Sequence, residues 1–458
     1  MKKVLMISYF FPPMGGVAVQ RITKFCKFLP EFGWQPIVLT VKNGYWTVWD
    51  HSNQDYKTGH EIIYRTPFYS PFTILKKLSV GKANFGTTSE DKGKPLKKPS
   101  WRRRLMRQIS MLWCVPDEFI SWLPFAYVYG LKIIKKHKID LIYANDSPHT
   151  CSIIALILSK TTGIPFITDF RDLWTSNPEF APRNKFEKLV QTKLERNVLR
   201  NAGKMITTTH GFANELSRMN GSNMGTKLEI IYNGFDLDDF KSGKISPSDK
   251  QNNRFRIVYT GSFFGTYMNP KNFLVALSRF LEAFQLQPSD FEVIFAGSNS
   301  LTIKNLLSQL DLEKYVKLSG NVTHRKACEL QKSADLLLVL LYSIAEAVNI
   351  VTAKLFEYLV AGAPVLAIAP EGEVSKIIEK TGTGMVSNPD DIDDIERCLA
   401  LLYEKIHIKK ELFPRNEEEI KKFNRRDQAK RLAEIFDEVS ITNKKETYIS
   451  VKREKACN

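Results

Sequence analysis

The sequence predicts an α/β protein: two doubly wound Rossmann-like domains facing a central cleft. Three observations predict it. Apolar strand-like runs alternate with helix-like segments along most of the 458 residues. The strand-like runs are continuously apolar, as strands of a parallel sheet covered on both faces must be. A polar stretch, "DLDDFKSGKISPSDKQNNR" (236–254), interrupts the pattern, and the alternation then starts again. A chain of this length also exceeds what one compact core holds. The expected division is 1–240, 241–440 and a polar, disordered tail at 441–458.

In the first half, "KVLMISYF" (3–10) reads as a buried strand, "VAVQRITKFCKFLPEFG" (17–33) as a helix and "QPIVLTV" (35–41) as the next strand. "IDLIYAND" (139–146) is followed by a helix from about His149 to Lys160 and then by "PFITDFRD" (165–172). A long charged helix through "EKLVQTKLERNVLRNA" leads to "KMITTT", a helix starting near Gly211, and "LEIIYNGFD". In the second half the strands are "FRIVYTGSF", "FEVIFAGS", "VKLSGNV", "DLLLVLLYS" and "PVLAIA". The helices between and after them are "KNFLVALSRFLEAF", "LTIKNLLSQLD", "HRKACELQKS", "TAKLFEYLVA" and "EVSKIIEKTG". In open sheets of this kind, ligands bind at the carboxyl ends of the strands. Two such sheets face to face make a cleft.

Composition narrows the function classes. Hydrophobic residues make up 43% and charged residues 25%, the balance of an ordinary globular protein. Six cysteines without a C-x-x-C pair imply neither a zinc site nor a disulfide framework. The start, "MKKVLMISYFFPPMGG", imitates a leader, but Pro12 and Pro13 cut its apolar run short. The longest apolar run elsewhere, "FISWLPFAYVYGLKII", is broken by Pro124 and Lys132, so no membrane span is expected. A cytoplasmic protein is expected, free or peripheral at a membrane. The net charge of +17 is concentrated in a basic segment, Lys76–Arg107, followed by Trp113 and other apolar residues. That pairing suits an anionic membrane surface, though a merely solvated loop has the same composition. No nucleic-acid recognition motif accompanies the charge.

Two residues of the second half stand out on one helical face, Lys354 and Glu357, three apart and near a helix start. Thr352 is expected to cap that helix and Gly362 to end it. A helix N-terminus suits phosphate, a lysine adds a point charge, and a carboxylate one turn in can accept hydrogen bonds from vicinal hydroxyls. A surface Lys–Glu pair would explain the two residues equally well if they stood alone. In the first half, Asp169, Arg171 and Asp172 follow one strand, and Asp146 and His149 follow another. Such groups can orient an acceptor hydroxyl, and an Arg–Asp pair of purely structural role is the alternative.

The segment "TAKLFEYLVAGAPVLAIAPEGEVSKIIEKTGTGMV" resembles the donor site of the family 4 glycosyltransferases, which have the GT-B fold. "IIYNGFDLDDF", "ISYFFPPMGGVAVQRITKFCKFL" and "GIPFITDFRDLW" resemble further family segments in the same order. The last is similar to the variant in bacterial transferases that build capsule, O-antigen or exopolysaccharide. The resemblance implies a retaining transfer of sugar from a nucleotide-diphosphate donor to a saccharide acceptor, here expected to be membrane-linked. It implies neither a metal nor a cofactor. Glu357 matches the second glutamate of the family's E-x7-E motif, which holds the donor ribose. Asn349 stands where the first is expected, with Glu346 nearby. Gly15 and Gly16 would let backbone approach the donor phosphate. Gly261 is followed by Ser262, where many members have arginine, so Lys271 and Lys354 are joint candidates for the diphosphate charge. Val322 and His324 occupy the turn that resembles the base-binding one. The expected catalytic set is Lys354, Lys271 and Asp172. The donor set is Gly15, Gly16, Gly261, Ser262, Val322, Asn349, Thr352 and Glu357. The acceptor set is Asp169, Arg171, Asp146 and His149. A nucleotide-sugar epimerase of the same fold and a non-catalytic assembly scaffold are the alternatives.

Overall fold

In the computed structural model, the described residues are 1–42, 44, 50, 62–69, 114–177, 180–220, 226–241, 254–261, 263, 270–297, 301–341 and 345–457. The basic segment Lys76–Arg107 and Ser262 lie outside them, as does the side chain of Glu346.

Two wholly parallel sheets account for the apolar runs. The first has the order β3–β2–β1–β4–β5–β6–β7. Its strands are β1 (Lys2–Ile7), β2 (Trp34–Val41), β3 (Ile62–Thr66), β4 (Leu141–Asn145), β5 (Phe166–Phe170), β6 (Lys204–Thr207) and β7 (Leu228–Ile230). The second has the order β10–β9–β8–β11–β12–β13. It comprises β8 (Phe255–Thr260), β9 (Phe291–Ala296), β10 (Val316–Gly320), β11 (Leu336–Leu340), β12 (Val365–Ile368) and β13 (Gly384–Ser387). Both sheets reverse their order once, between β1 and β4 and between β8 and β11. A crevice opens at such a switch point, beyond the strand carboxyl ends.

Helices cover both faces. The first half carries α1 (Val17–Phe28), α2 (Leu123–His137), α3 (Thr150–Thr162), α4 (Lys185–Asn201), α5 (His210–Asn220) and the short α6 (Leu237–Lys241). The second carries α7 (Lys271–Ala283), α8 (Leu301–Gln309), α9 (His324–Lys332), α10 (Ala353–Ala361), α11 (Glu373–Thr381), α12 (Ile392–Tyr403), the short α13 (Glu417–Lys421) and α14 (Arg425–Cys457). Local chemistry sets their ends. Asn184 caps α4 by accepting the Glu187 N–H at 2.8 Å, and Asp391 caps α12 by accepting the Asp394 N–H at 2.9 Å. The run "LPFAYVYGLKII", too broken to span a membrane, folds as α2, with Pro124 in its first turn and Lys135, Lys136 and His137 in its last. Among the described residues, no helix is long and apolar enough to cross a membrane.

The expected boundary at 440 is corrected by packing. Ala429, Leu432, Ala433, Ile435, Phe436 and Val439 of α14 join Val4, Met6, Phe25, Tyr143 and Ile167 in one buried cluster of the first domain. The chain therefore leaves the second domain at Arg425 and covers the first sheet. The crossing is tight: Phe235 N–H donates to Phe423 O at 3.0 Å, and Arg425 N–H donates to Phe235 O at 2.9 Å. A Cβ on Gly234 would stand 2.1 Å from Phe423 O, so only glycine fits there. The expected disordered tail is also corrected. The backbone stays helical to Cys457, because the segment has neither Pro nor Gly to break a helix already docked at its start.

Candidate active site

The crevice of the second sheet begins at Gly261, directly after β8. Its φ is 137°, and its N–H donates to Ala296 O at 2.7 Å. The first turn of α10 lies above it. Lys354 Nζ sits 3.9 Å from the centroid of the Tyr259 ring, and a Cβ at position 261 would approach that Nζ to 2.6 Å. The lysine is thus laid over an aromatic face against bare backbone. Burial lowers its ammonium to about 7, and Glu357 offsets only part of this. Tyr358, the next-but-one residue after Phe356, anchors the helix: its hydroxyl accepts the Thr260 N–H at 2.9 Å.

Glu357 lies one turn further in. His324 Nε2 is 3.0 Å from its Oε1, and Gln331 Nε2 donates to its Oε2 at 2.8 Å. Burial pushes the carboxyl up, but His324 and the two hydrogen bonds hold it below the usual range. His324 is shifted the other way. Burial lowers it, and Glu357 more than offsets this, leaving it well above the ordinary histidine value. Thr352 occupies the N-cap position of α10 without capping it. Its Oγ1 is buried with no hydrogen-bond partner, which corrects the expected cap. A buried hydroxyl left so forgoes the hydrogen bond that buried polar groups ordinarily make.

The first domain closes on this site. Gly16, with φ 96°, is the N-cap of α1. Asp50 N–H donates to Pro13 O at 3.2 Å in the loop before the two glycines, and Asp50 Oδ2 accepts the His324 N–H at 3.4 Å. Hydrogen bonds thus link Pro13, just before the two glycines, through Asp50 and His324 to Glu357 across the two domains. A second bridge lies at α5. Thr209 Oγ1 donates to Asn349 O at 2.9 Å, and Gly211 N–H donates to Glu373 Oε1 at 3.2 Å. Tyr232 OH donates to the other oxygen of Glu373 at 2.7 Å. A Cβ on Gly211 would lie 2.1 Å from Asn349 Oδ1, so the Asn349 amide packs against the first domain instead of standing alone in the donor pocket.

Asp169 is corrected. Its side chain is fully buried, with Arg21 Nε at 2.7 Å from Oδ2, Arg21 Nη2 at 3.1 Å from Oδ1, and Tyr143 OH donating to Oδ2. Asp169 and Arg21 are both wholly buried, so Asp169 has no access to an acceptor and is a structural ion pair. Asp146 is corrected on the same ground: it is fully buried and faces His149 Nδ1 at 3.2 Å. It positions His149, whose ring stacks on Trp174 at 4.5 Å with planes 4° apart. Burial lowers His149, but Asp146 more than offsets this and raises it. Arg171 donates to Asp146 O at 3.2 Å and to Ser147 O at 2.8 Å, bracing the same loop. Asp172 and Lys271 are exposed, the latter as the first residue of α7, and Val322 is half-buried in the turn before α9.

Sequence reasoning did not find Asp50, Gln331, Glu373 or Arg21. Their roles depend on partners between 26 and 274 positions away. No local signal could have found them.

Two family models match the sequence: Glycosyltransferase Family 4 over residues 83–239, and Glycosyl transferases group 1 over residues 243–418. No curated protein matches the chain. Solved structures share its fold at low identity. Sucrose-phosphate synthase from Thermosynechococcus elongatus is 14% identical, with a TM-score of 0.63 over 96% of this chain and 100% of that one. Anabaena HepE in complex with UDP-glucose is 17% identical, with a TM-score of 0.55 over 99% and 100%. WaaG, a glycosyltransferase involved in lipopolysaccharide biosynthesis, is 13% identical, with a TM-score of 0.52 over 95% and 98%.

Proposed function

Because the chain is a family 4-like glycosyltransferase with the GT-B fold, we propose that it moves a sugar from a nucleoside-diphosphate donor to a saccharide acceptor, with retention of configuration, in the assembly of a cell-surface polysaccharide. The observation that carries this reading is the convergence of Lys354, Gly261 and Glu357 at the switch point of the second sheet, opposite the Gly15–Gly16 loop. HepE is described with UDP-glucose and WaaG with lipopolysaccharide biosynthesis, which supports the donor class and the pathway class.

On this reading Lys354 meets the diphosphate, with the bare backbone of Gly261 beneath it and the N-terminus of α1 across the cleft. Exposed Lys271 adds charge at the entrance. Glu357 accepts hydrogen bonds from the ribose hydroxyls, and Thr352 Oγ1 gives the donor a further partner. Charge gathers on the departing diphosphate as the glycosidic bond loosens, so a preorganised cation and helix dipoles there lower the barrier. The acceptor enters from the first domain, where His149 presents its imidazole, with Arg171 and Asp172 nearby. The acceptor hydroxyl attacks from the face the diphosphate leaves, and a phosphate oxygen takes its proton. The reading needs no metal or cofactor. The basic segment Lys76–Arg107 would hold the enzyme to an anionic membrane carrying the acceptor.

A thermal-shift screen against UDP- and GDP-sugars tests the donor, since a ligand that binds the native state raises its stability. Glu357→Ala should abolish transfer to a saccharide acceptor and the shift produced by the donor. Full transfer by that variant would remove Glu357 from the donor site. Conversion of the sugar nucleotide without any acceptor would favour an epimerase instead.

A further inference from the structure

We propose that His324, Cys328 and Glu357 form a binding site for a thiophilic divalent cation of the zinc class, and that the cation closes the donor pocket when it binds. The closing of the pocket rests on Glu357 being the ribose contact; the cation site itself does not.

His324 and Cys328 are four apart on α9 and so lie on one face of it, which is turned toward Glu357 on α10. One ligand atom from each of the three falls within 4.8 Å of the other two. Among the described residues no other such trio converges this closely. His324 Nε2 is 3.0 Å from Glu357 Oε1 and 3.7 Å from Cys328 Sγ. A zinc ion bound at about 2.0–2.3 Å to nitrogen, oxygen and sulfur holds its ligands roughly 3.3–3.8 Å apart. Small side-chain rotations would therefore seat an ion among the three.

The surroundings carry both signs, with Lys354 and Arg425 interacting electrostatically with Glu357 and two carboxylates beside His324. Gln331 Nε2 holds Glu357 Oε2, so the carboxylate is fixed with Oε1 directed at the histidine, as a hydrogen-bond partner behind a metal ligand fixes that ligand. Asp239 lies close enough to His324 for the two to interact electrostatically, and Asp50 accepts the His324 N–H. Cys328 is buried at 2% exposure. One thiolate, one imidazole and one carboxylate favour zinc over magnesium or calcium, which prefer all-oxygen sites. Three protein ligands leave the fourth tetrahedral position for a water in the cleft. An ion there takes Glu357 Oε1 and the space in front of it, which a ribose diol would need.

Cobalt(II) alone, titrated into the reduced full-length chain free of nucleotide, tests the site. One equivalent should produce a thiolate-to-cobalt charge-transfer band in the near ultraviolet and the visible bands of a tetrahedral ion. Both should vanish in Cys328→Ser and in His324→Ala. Absence of the bands from the parent protein, or their persistence in Cys328→Ser, overturns the proposal. Should either variant fail to fold, zinc-edge X-ray absorption on the parent protein decides. One sulfur at about 2.3 Å with nitrogen or oxygen at about 2.0 Å supports the site, and a shell without sulfur overturns it. UDP and GDP are then added. Release of the cobalt to a chelator supports mutual exclusion, while a nucleotide that binds with the bands intact overturns the closing of the pocket. If neither nucleotide binds the metal-free protein, the donor reading fails, and the absorption result still judges the cation site.

Discussion

A side chain at position 261 and the ammonium of Lys354 cannot occupy the same place, since a Cβ there would come within 2.6 Å of Nζ. Gly261 also has a φ of 137°, which other residues adopt at a cost of about 1–3 kcal/mol. Gly261→Ala should therefore lower the unfolding free energy by about that amount in denaturant titrations and remove the donor-induced thermal shift. The lysine carries a second prediction. Its ammonium is held near 7 in the donor-free protein, so it is charged below that pH and neutral above it. A bound diphosphate would restore the charge, so donor binding takes up a proton above pH 7. Affinity for a nucleotide sugar, measured calorimetrically, should be level below about pH 7 and weaken by about tenfold per unit above it. In Lys354→Arg that limb should disappear, because the guanidinium stays charged. A limb retained in the arginine variant would assign it to another group.

At the scale of elements, the period of the apolar runs made the alternation of strands and helices legible. The placing of Lys354 and Glu357 on one short helix was legible too, because a lysine and a glutamate three apart, next to a buried strand, are all local. Asp169 shows where legibility stops. A carboxylate at the carboxyl end of a strand reads the same whether it faces a cleft or an arginine on another helix. Arg21 lies 148 positions away, and only packing brings it there. The pair is buried, so removing one partner leaves an uncompensated charge, costing about 3–5 kcal/mol. Asp169→Asn should lower the denaturation midpoint accordingly, whereas loss of transfer without loss of stability would return Asp169 to the acceptor site. Cys328 was illegible for a related reason. Six scattered cysteines without a C-x-x-C pair imply no zinc site in sequence, yet a His–Cys pair at i, i+4 needs only one distant carboxylate to make three ligands.

Over the whole molecule, the two domains meet, among the described residues, through contacts that include Asp50 with His324, Thr209 with Asn349, Gly211 and Tyr232 with Glu373, and Lys332 with Phe240. They also share α14, which follows the second domain in sequence and completes the first in space. Phe436 packs against Trp34 at 5.2 Å and Tyr143 at 5.7 Å between ring centroids. Phe436→Ala should cost about 3–5 kcal/mol. Hydrogen exchange should report the loss in β1 and β4, with β8 and β11 of the second sheet largely protected as before.

The position of α14 also fixes an order of events during synthesis. Domains usually fold as they emerge, the N-terminal one first. Here the apolar face formed by Val4, Met6, Tyr143 and Ile167 is sealed by residues 429–439. That face stays open on the nascent chain until residues 429–439 have left the ribosome. Of the two domains, the earlier is therefore the later to be closed, and a ribosome that stalls anywhere between the first domain and residue 429 holds out a hydrophobic surface for chaperones to cover.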